Sequence, residues 1–391
     1  MNKPEPVIVT GFISEYPYGG VAWQTLHYIE GLRRSGFDPY YFEETGTWPA
    51  DPKHGLAFLS DVMEAHGLEH RWICRSSALG KTIGLSEPAF ADVLTSTSAL
   101  FNVTGSTLLG EEFLAVPIRL HIETDPVEFQ LKRAIELAGA VSQDDERYFE
   151  YRANIDLHTH LFTFGENFGA TDCDVPNVDY RFIPTRQPVV VDWWAGSPPS
   201  DGGSFTTIAN WDQRGEKDVV WQGEEMSWTK GREFLRFIGV PESTGETFEL
   251  ALSSAPEDVR DRLAAAGWTV SDAVAASRTP DVYRNYIQRS RGEFTVAKYQ
   301  YHRLRCGWFS DRSACYLAAG RPVVTQDTGF GNILPVGEGL FPFSTVEDVC
   351  EATEAIATDP ERHQTAALEI AREYFDAEKV VGDMLREVGL L

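Results

Sequence analysis

Cysteine is scarce in this chain, with five in 391 residues at positions 74, 173, 306, 315 and 350 and no CxxC pair. An odd, scattered set argues against a disulfide framework or a zinc knuckle and points to free, buried thiols. Positive charge is scarce too: 34 Lys and Arg face 59 Asp and Glu, a formal net charge of −25. A field of that sign repels phosphate backbones and anionic lipid unless a local patch opposes it, so nucleic acid and membrane surfaces are poor expected partners. No apolar run approaches the roughly 18 residues that a membrane span requires. Met1–Pro6 is polar and leads straight into Val7-Ile8-Val9, too short for the apolar segment of a signal peptide, so a cytoplasmic location is expected. GxGxxG, P-loop, GxSxG and HExxH patterns are all missing, which removes the usual dinucleotide, phosphate-loop, serine-hydrolase and zinc-protease signatures.

What the chain does have is core. Hydrophobic residues make up 42% and charged residues 24%, and at about 150 residues per domain the length predicts two or three domains. Val7–Val9 reads as a strand, and Val21, Leu26, Ile29 and Leu32 follow at helical spacing until Ser35-Gly36 closes the helix. Pro39–Phe42 is the next strand, and this βαβ unit demands a parallel sheet with helices on its faces. The alternation continues with strands at 72–74, 99–103, 117–122, 161–164 and 189–193, and helices at 51–66, 89–96 and 126–138. Residues 195–203 are turn formers without periodicity and make the best boundary. Beyond it strands recur at 205–209, 248–252, 268–271, 293–296 and 322–325, between helices, and a last helix covers 377–388. The fold class is therefore α/β, with two Rossmann-like parallel-sheet domains facing across a cleft. Residues 1–195 form the first domain, 196–203 the linker and 204–375 the second domain, with a terminal helix at 376–391. Open parallel sheets bind ligands outside the carboxyl ends of their strands, so the chemistry is sought on post-strand loops.

Four such loops stand out. In Gly11–Gly20, Gly19 and Gly20 let the backbone approach a ligand and open a helix with free N–H groups, or simply make a turn into that helix. In Glu123-Thr124-Asp125-Pro126, Asp125, helped by Glu123, has the chemistry to take a proton from an attacking hydroxyl, or else Asp125 caps the helix after it. Lys230, just ahead of a helix, offers an ammonium to a phosphate, with a solvated surface lysine as the other reading. In Cys306–Ser313, Ser310 or Asp311 caps a helix whose first-turn N–H groups, at Ser313 and its neighbours, converge with the Arg312 guanidinium on a site suited to a diphosphate. The alternative is a capped helix with Asp311 and Arg312 exposed. Glu166 is a further post-strand carboxylate that could line the cleft or make a turn. Asp172-Cys173-Asp174 has the form of a metal-binding DxD, but it sits in a Thr-, Pro- and Asn-rich loop, and no metal is expected. His158 and His160 lack a third ligand and read as structural.

Several segments resemble the GT-B glycosyltransferases, and among them the broad family-four-like, "group 1" enzymes. The stretch Pro17-Tyr18-Gly19-Gly20-Val21 and then Leu32–Tyr40 is similar to that group's opening. Thr229-Lys230-Gly231 resembles its diphosphate-binding Lys-Gly, Leu317–Val324 the stretch after its donor-sugar loop, and Gly337-Glu338-Gly339-Leu340 a later Gly-x-Gly-Leu segment. The resemblance implies transfer of a sugar from a nucleotide-sugar, without a metal or other cofactor. It places the donor on the second domain and the acceptor on the first. It puts Asp125 near the reacting sugar, and it makes Asp327 and Glu338 candidate contacts to the nucleoside or sugar. The chain departs from the pattern in two places. The paired glutamates of retaining members are replaced by Gly307 and Cys315, and Asn210-Trp211 stands where an arginine is usual. Other readings stay open. One is a nucleotide-sugar epimerase or hydrolase using Glu166 with His158 or His160. Another is a non-catalytic nucleotide-sugar binding protein. A third is a phage-type DNA-base glycosyltransferase, which the charge disfavours.

Overall fold

The computed structural model describes residues 4–46, 51–140, 145–196, 203–212 and 218–391. Eight strands form the first sheet: β1 (Pro6–Thr10), β2 (Asp38–Thr45), β3 (Trp72–Ser76), β4 (Lys81–Gly84), β5 (Ala99–Val103), β6 (Ile118–Glu123), β7 (His160–Thr163) and β8 (Phe182–Pro184). Their order is β4-β3-β2-β1-β5-β6-β7-β8, parallel throughout except for β4 against β3. Helices cover both faces, which is why Val7, Ile8 and Val9 are all fully buried instead of alternating in and out. The chain winds outward from β1 to β3 and then returns to place β5 on the other side of β1, so the crevice opens between the loops after β1 and β5.

The second half repeats the plan. Its strands are β9 (Phe205–Asn210), β12 (Phe248–Ser253), β13 (Thr269–Asp272), β14 (Gly292–Thr295), β15 (Val323–Gln326) and β16 (Leu340–Phe343), with β10 (Val219–Trp221) and β11 (Glu224–Met226) making a separate antiparallel hairpin. The six-stranded order β13-β12-β9-β14-β15-β16 reverses between β9 and β14. No helix among the described residues is long and apolar enough to cross a membrane.

Some elements differ from expectation. The run at 189–193 does not enter the sheet. Val189 makes one bridge to Asp376, and Val191–Trp194 turns into a 3-10 helix. Strand β8, the β10–β11 hairpin and the helices Glu146–Ile155 and Tyr299–Arg303 were not predicted. Of the linker expected at 196–203, residues 197–202 lie outside the described residues.

One apolar core runs through both halves, from Val7 through Trp194, Tyr283, Tyr301 and Trp308 to Leu385. The helix Gly19–Arg34 is at the centre of this contact. Its Gly19 N–H donates to the Ser277 carbonyl at 2.6 Å, and Trp23 Nε1 donates to the Pro280 carbonyl at 2.8 Å. A Cβ on Gly19 would lie 2.4 Å from the Thr279 carbonyl oxygen, so no larger residue fits without parting the halves. On its other side the same helix receives the terminal helix Ala377–Glu387, where a Cβ on Gly31 would lie 2.8 Å from Val381 Cγ2.

Candidate functional site

Between the carboxyl ends of the two sheets lies a cavity of about 940 Å³. Its first-half wall comes from the loops after β1, β5 and β6, and its second-half wall from those after β9 and β12 and from the start of the helix Asp311–Ala318. Such a crevice at facing switch points is where an open α/β sheet holds a ligand. Thr104 on the first-half wall and Ser254 on the second take positive φ of 61° and 58°, a backbone state that side chains disfavour and that clusters at functional sites.

Asp125, on the cavity lining, meets the second half. Its Oδ1 accepts from Lys298 Nζ at 2.7 Å and from the Tyr301 hydroxyl at 2.7 Å. Lys298 is buried, and its ammonium sits 3.3 Å from the centre of the Trp228 ring. Asp125 is not a helix cap, because the helix begins only at Glu128. Between the two, Val127 takes φ +88° and ψ −48°, an unfavourable state for a β-branched residue, and its N–H donates to Gln130 Oε1 at 2.7 Å. The Nε2 of the same Gln130 donates to Glu123 Oε2 at 3.0 Å, and Thr163 Oγ1 donates to it at 2.6 Å. Glu123 thereby ties down the loop that carries Asp125.

Burial, with the nearby charges of Asp125 and Glu128, raises the Glu123 carboxyl to about 8. The folded protein therefore keeps this proton while the unfolded chain releases it above about 4.5. Stability is lost as pH rises between those values, by at most about 1.4 kcal/mol per pH unit for one proton. Glu123→Gln is expected to flatten that slope in urea titrations between pH 5 and 8, and an unchanged slope would place the ionisation elsewhere.

On the second half, Lys230 stands beside the cavity with its ammonium 5.3 Å from the centre of the Trp308 ring. Burial, reinforced by the charges of Arg312 and Lys298, pulls its amine down to about 7. Gly231 follows because a Cβ there would lie 2.6 Å from Trp211 Nε1. Arg312 lines the cavity but is turned into the protein. Its Nε donates to Glu293 Oε1 at 2.6 Å, and its terminal nitrogens donate to the Ile208 carbonyl at 2.8 Å and Thr295 Oγ1 at 3.0 Å. It is neither the exposed side chain nor the fully open guanidinium that the sequence allowed.

The structure thus brings Asp125, Glu123, Gly20, Asp311 and Arg312 to the cavity, with Lys230 beside it. Gly19 faces the contact between the halves. Ser310 and Ser313 are buried and do not line the cavity. Three further candidates lie off the cavity lining. Glu166, with Arg186 Nε 3.0 Å away, is buried off the cavity. Asp327 accepts from Arg305 at 2.6 Å and from the Gly329 N–H at 2.8 Å, and Glu338 pairs with Arg362 on the surface. Neither lines the cavity: Asp327 is held by Arg305, and Glu338 precedes β16, at the amino end of that strand. His158 is half-buried, held by the Asn154 carbonyl at 2.8 Å, and lowered by desolvation to about 4, and both it and His160 lie off the cavity.

Asp172 and Asp174 belong to a clasp between the halves. Asp172 accepts from Arg305 Nε at 3.0 Å, Asp174 accepts from Arg303 at 3.2 Å, and the backbone N–H groups of Asn167 and Asp174 donate to the Cys306 and Leu304 carbonyls, each at 3.0 Å. Gly307, standing where a glutamate is usual, has φ +83° and would place a Cβ 2.4 Å from Asn167 N. The clasp leaves no room for a side chain there. Among the described residues no group of three or more His, Cys, Asp and Glu is placed to hold a metal ion. Lys298 and Tyr301 were not foreseen. Their one sequence signal is position, directly after β14 at the switch point.

No protein-family model and no curated protein matches the chain. Solved structures do. The chain is similar over 98% of its length to 99% of an alpha-glucosyltransferase (AGT) in complex with UDP, with 8% identity and a TM-score of 0.58. It is similar over 99% of its length to the whole of HepE from Anabaena in complex with UDP and glucose, with 12% identity and a TM-score of 0.56. A glycosyltransferase from Rickettsia africae is covered over 98% by 99% of this chain, with 10% identity and a TM-score of 0.52. Two parallel sheets with facing carboxyl ends, likened over their full length to these structures, give this chain the GT-B fold.

Proposed function

We propose that this chain transfers a sugar from a nucleoside diphosphate sugar to an acceptor hydroxyl. The observation that carries the reading is the cavity where a carboxylate of the first half, Asp125, meets a cationic set on the second, Lys230, Lys298 and Arg312. In a chain of net charge −25, two lysines and an arginine gathered at one cleft are the local exception that an anionic donor requires, with Asp125 and Glu293 balancing Lys298 and Arg312 and Lys230 gaining its charge as the anion binds. The leaving diphosphate gains negative charge as the glycosidic bond breaks. Cations held in place by the fold stabilise that charge without having to reorient as it develops. Asp125 receives or orients the acceptor proton from the opposite wall. The similarity to UDP-bound glycosyltransferases supports the same reading.

Lys230 provides the test. At pH 8 its amine, at about 7 in the free protein, is mostly neutral, and a diphosphate favours the ammonium. UDP binding is expected to take up most of one proton, read by calorimetry in buffers of different ionisation heat. Lys230→Met is expected to abolish the uptake and weaken UDP by about 10–100-fold, the worth of one hydrogen bond to a charged group. A protein that binds no nucleoside diphosphate would overturn the proposal.

A further inference from the structure

The two walls of the cavity are electrostatically unlike. The helix opened by Gly19 and Gly20 was expected to offer free N–H groups to a ligand; its Gly19 N–H goes to the Ser277 carbonyl, and donors of the loop before it are taken as well. Ile13 N–H donates to the Tyr41 hydroxyl at 3.1 Å, and the Ser14 and Glu15 N–H groups donate to the buried Glu43 carboxylate, each at 3.0 Å. Ser14 Oγ donates to the same carboxylate at 2.7 Å. The Glu43 carboxylate therefore takes up these donors in place of a ligand.

The rest of the first-half wall agrees. Its carboxylates are Asp125, Glu128 and Glu150, with Glu15 raised by burial and the Glu43 charge to about 7 and Glu123 holding its proton to about 8, against Lys132 and Arg147. Those two cations are already paired: Lys132 with Glu128 at 3.3 Å and Asp145 at 3.0 Å, and Arg147 with Glu128 at 3.3 Å. A phosphate, sulfate or carboxylate here would meet surplus negative charge and no donor nest. What the wall does present is aromatic rings beside carboxylates. Tyr16 is 42% exposed and Tyr18 36% exposed, on the same loop as Glu15 and on the same cavity. A sugar ring has apolar C–H faces that pack on tyrosines and hydroxyl edges that donate to carboxylates.

We propose that the acceptor is an uncharged saccharide, seated on Tyr16 and Tyr18 with its hydroxyls donated to Glu15 and Glu150. This rests on the glycosyl transfer proposed above and adds that the negative charge of the reaction enters with the donor alone. A polyanionic acceptor such as DNA is excluded by the same wall.

The test uses the full chain saturated with UDP, with UDP binding measured first by calorimetry. Saturation-transfer NMR then compares methyl glucosides, methyl galactosides, maltose and cellobiose with glucose 6-phosphate, glucuronate and a 13-mer duplex DNA at equal concentration. At least one neutral sugar is expected to give signal, at least tenfold above the anionic probes. Glu15→Lys is expected to abolish it with UDP affinity kept within about twofold, and Tyr18→Ala carries the same test if Glu15→Lys does not fold. UDP binding with no signal from any neutral sugar would overturn this inference and leave the donor reading intact. Signal from glucose 6-phosphate or DNA at or above the neutral sugars would also overturn it. No UDP binding would overturn both.

Discussion

Arg312→Ala is expected to lower the free energy of unfolding by about 3–5 kcal/mol, the cost of leaving a buried charge without its partner. Glu293 is fully buried, and its Oε1 lies 2.6 Å from Arg312 Nε. Its Oε2 has no hydrogen-bond partner among the described residues. Removing the guanidinium also leaves the Ile208 carbonyl and the Thr295 hydroxyl without that donor. Weak UDP binding by this variant would therefore mix a folding defect with a lost contact. Arg312→Met combined with Glu293→Gln separates them, because replacing both partners of a buried pair by neutral residues of similar size is often close to neutral for stability. The double variant is expected to regain most of the lost stability in urea titrations and still bind UDP more weakly than the parent. If it regains UDP affinity too, Arg312 serves the fold and not the donor.

Asp125→Asn is expected to lower kcat by about 10²–10⁴, the range associated with one positioned acid or base. UDP affinity is expected to stay within about twofold, since Asp125 stands on the opposite wall. The substitution keeps the shape of the side chain, and the Tyr301 hydroxyl that now donates to Oδ1 at 2.7 Å retains an acceptor. Lys298→Met should behave differently. It removes the ammonium that holds Asp125 and also a cation from the neighbourhood of Lys230, so both kcat and UDP affinity are expected to fall. An Asp125→Asn variant with more than a tenth of parental turnover would reduce Asp125 to a tie between the halves.

The strands of both sheets were legible because parallel strands are buried on two faces and read as apolar runs, as in Val7-Ile8-Val9. Where a strand has no such burial the signal fails. Lys81–Gly84 is a mostly exposed edge with no apolar period. The opposite error arose at Val189, where an apolar run fills the core but pairs with Asp376 instead of a sheet. Periodicity cannot distinguish those fates. For the site, Asp125 and Lys230 could be found by their place after strands. Their partners could not, because Lys298 lies 173 positions from Asp125 and only the tertiary fold joins them. The same gap explains Asp327 and Glu338. Asp327 follows β15, yet Arg305 claims it first, and Glu338 precedes β16, at the amino end of that strand, where it meets Arg362.

The helix Gly19–Arg34 receives its second partner from residues made near the other end of the chain, including Ala377 and Val381. During synthesis β1 to β8 are complete once Pro184 has emerged, but that helix face then has nothing to cover it. At about 5–20 residues per second, the ribosome needs roughly 10–40 s to reach the terminal helix. Through that interval the first sheet waits with one apolar flank bare. The helix beside the sheet that carries Asp125 thus gains its last cover only after the strands around Lys230 have been made, and an apolar flank left uncovered for that long invites aggregation.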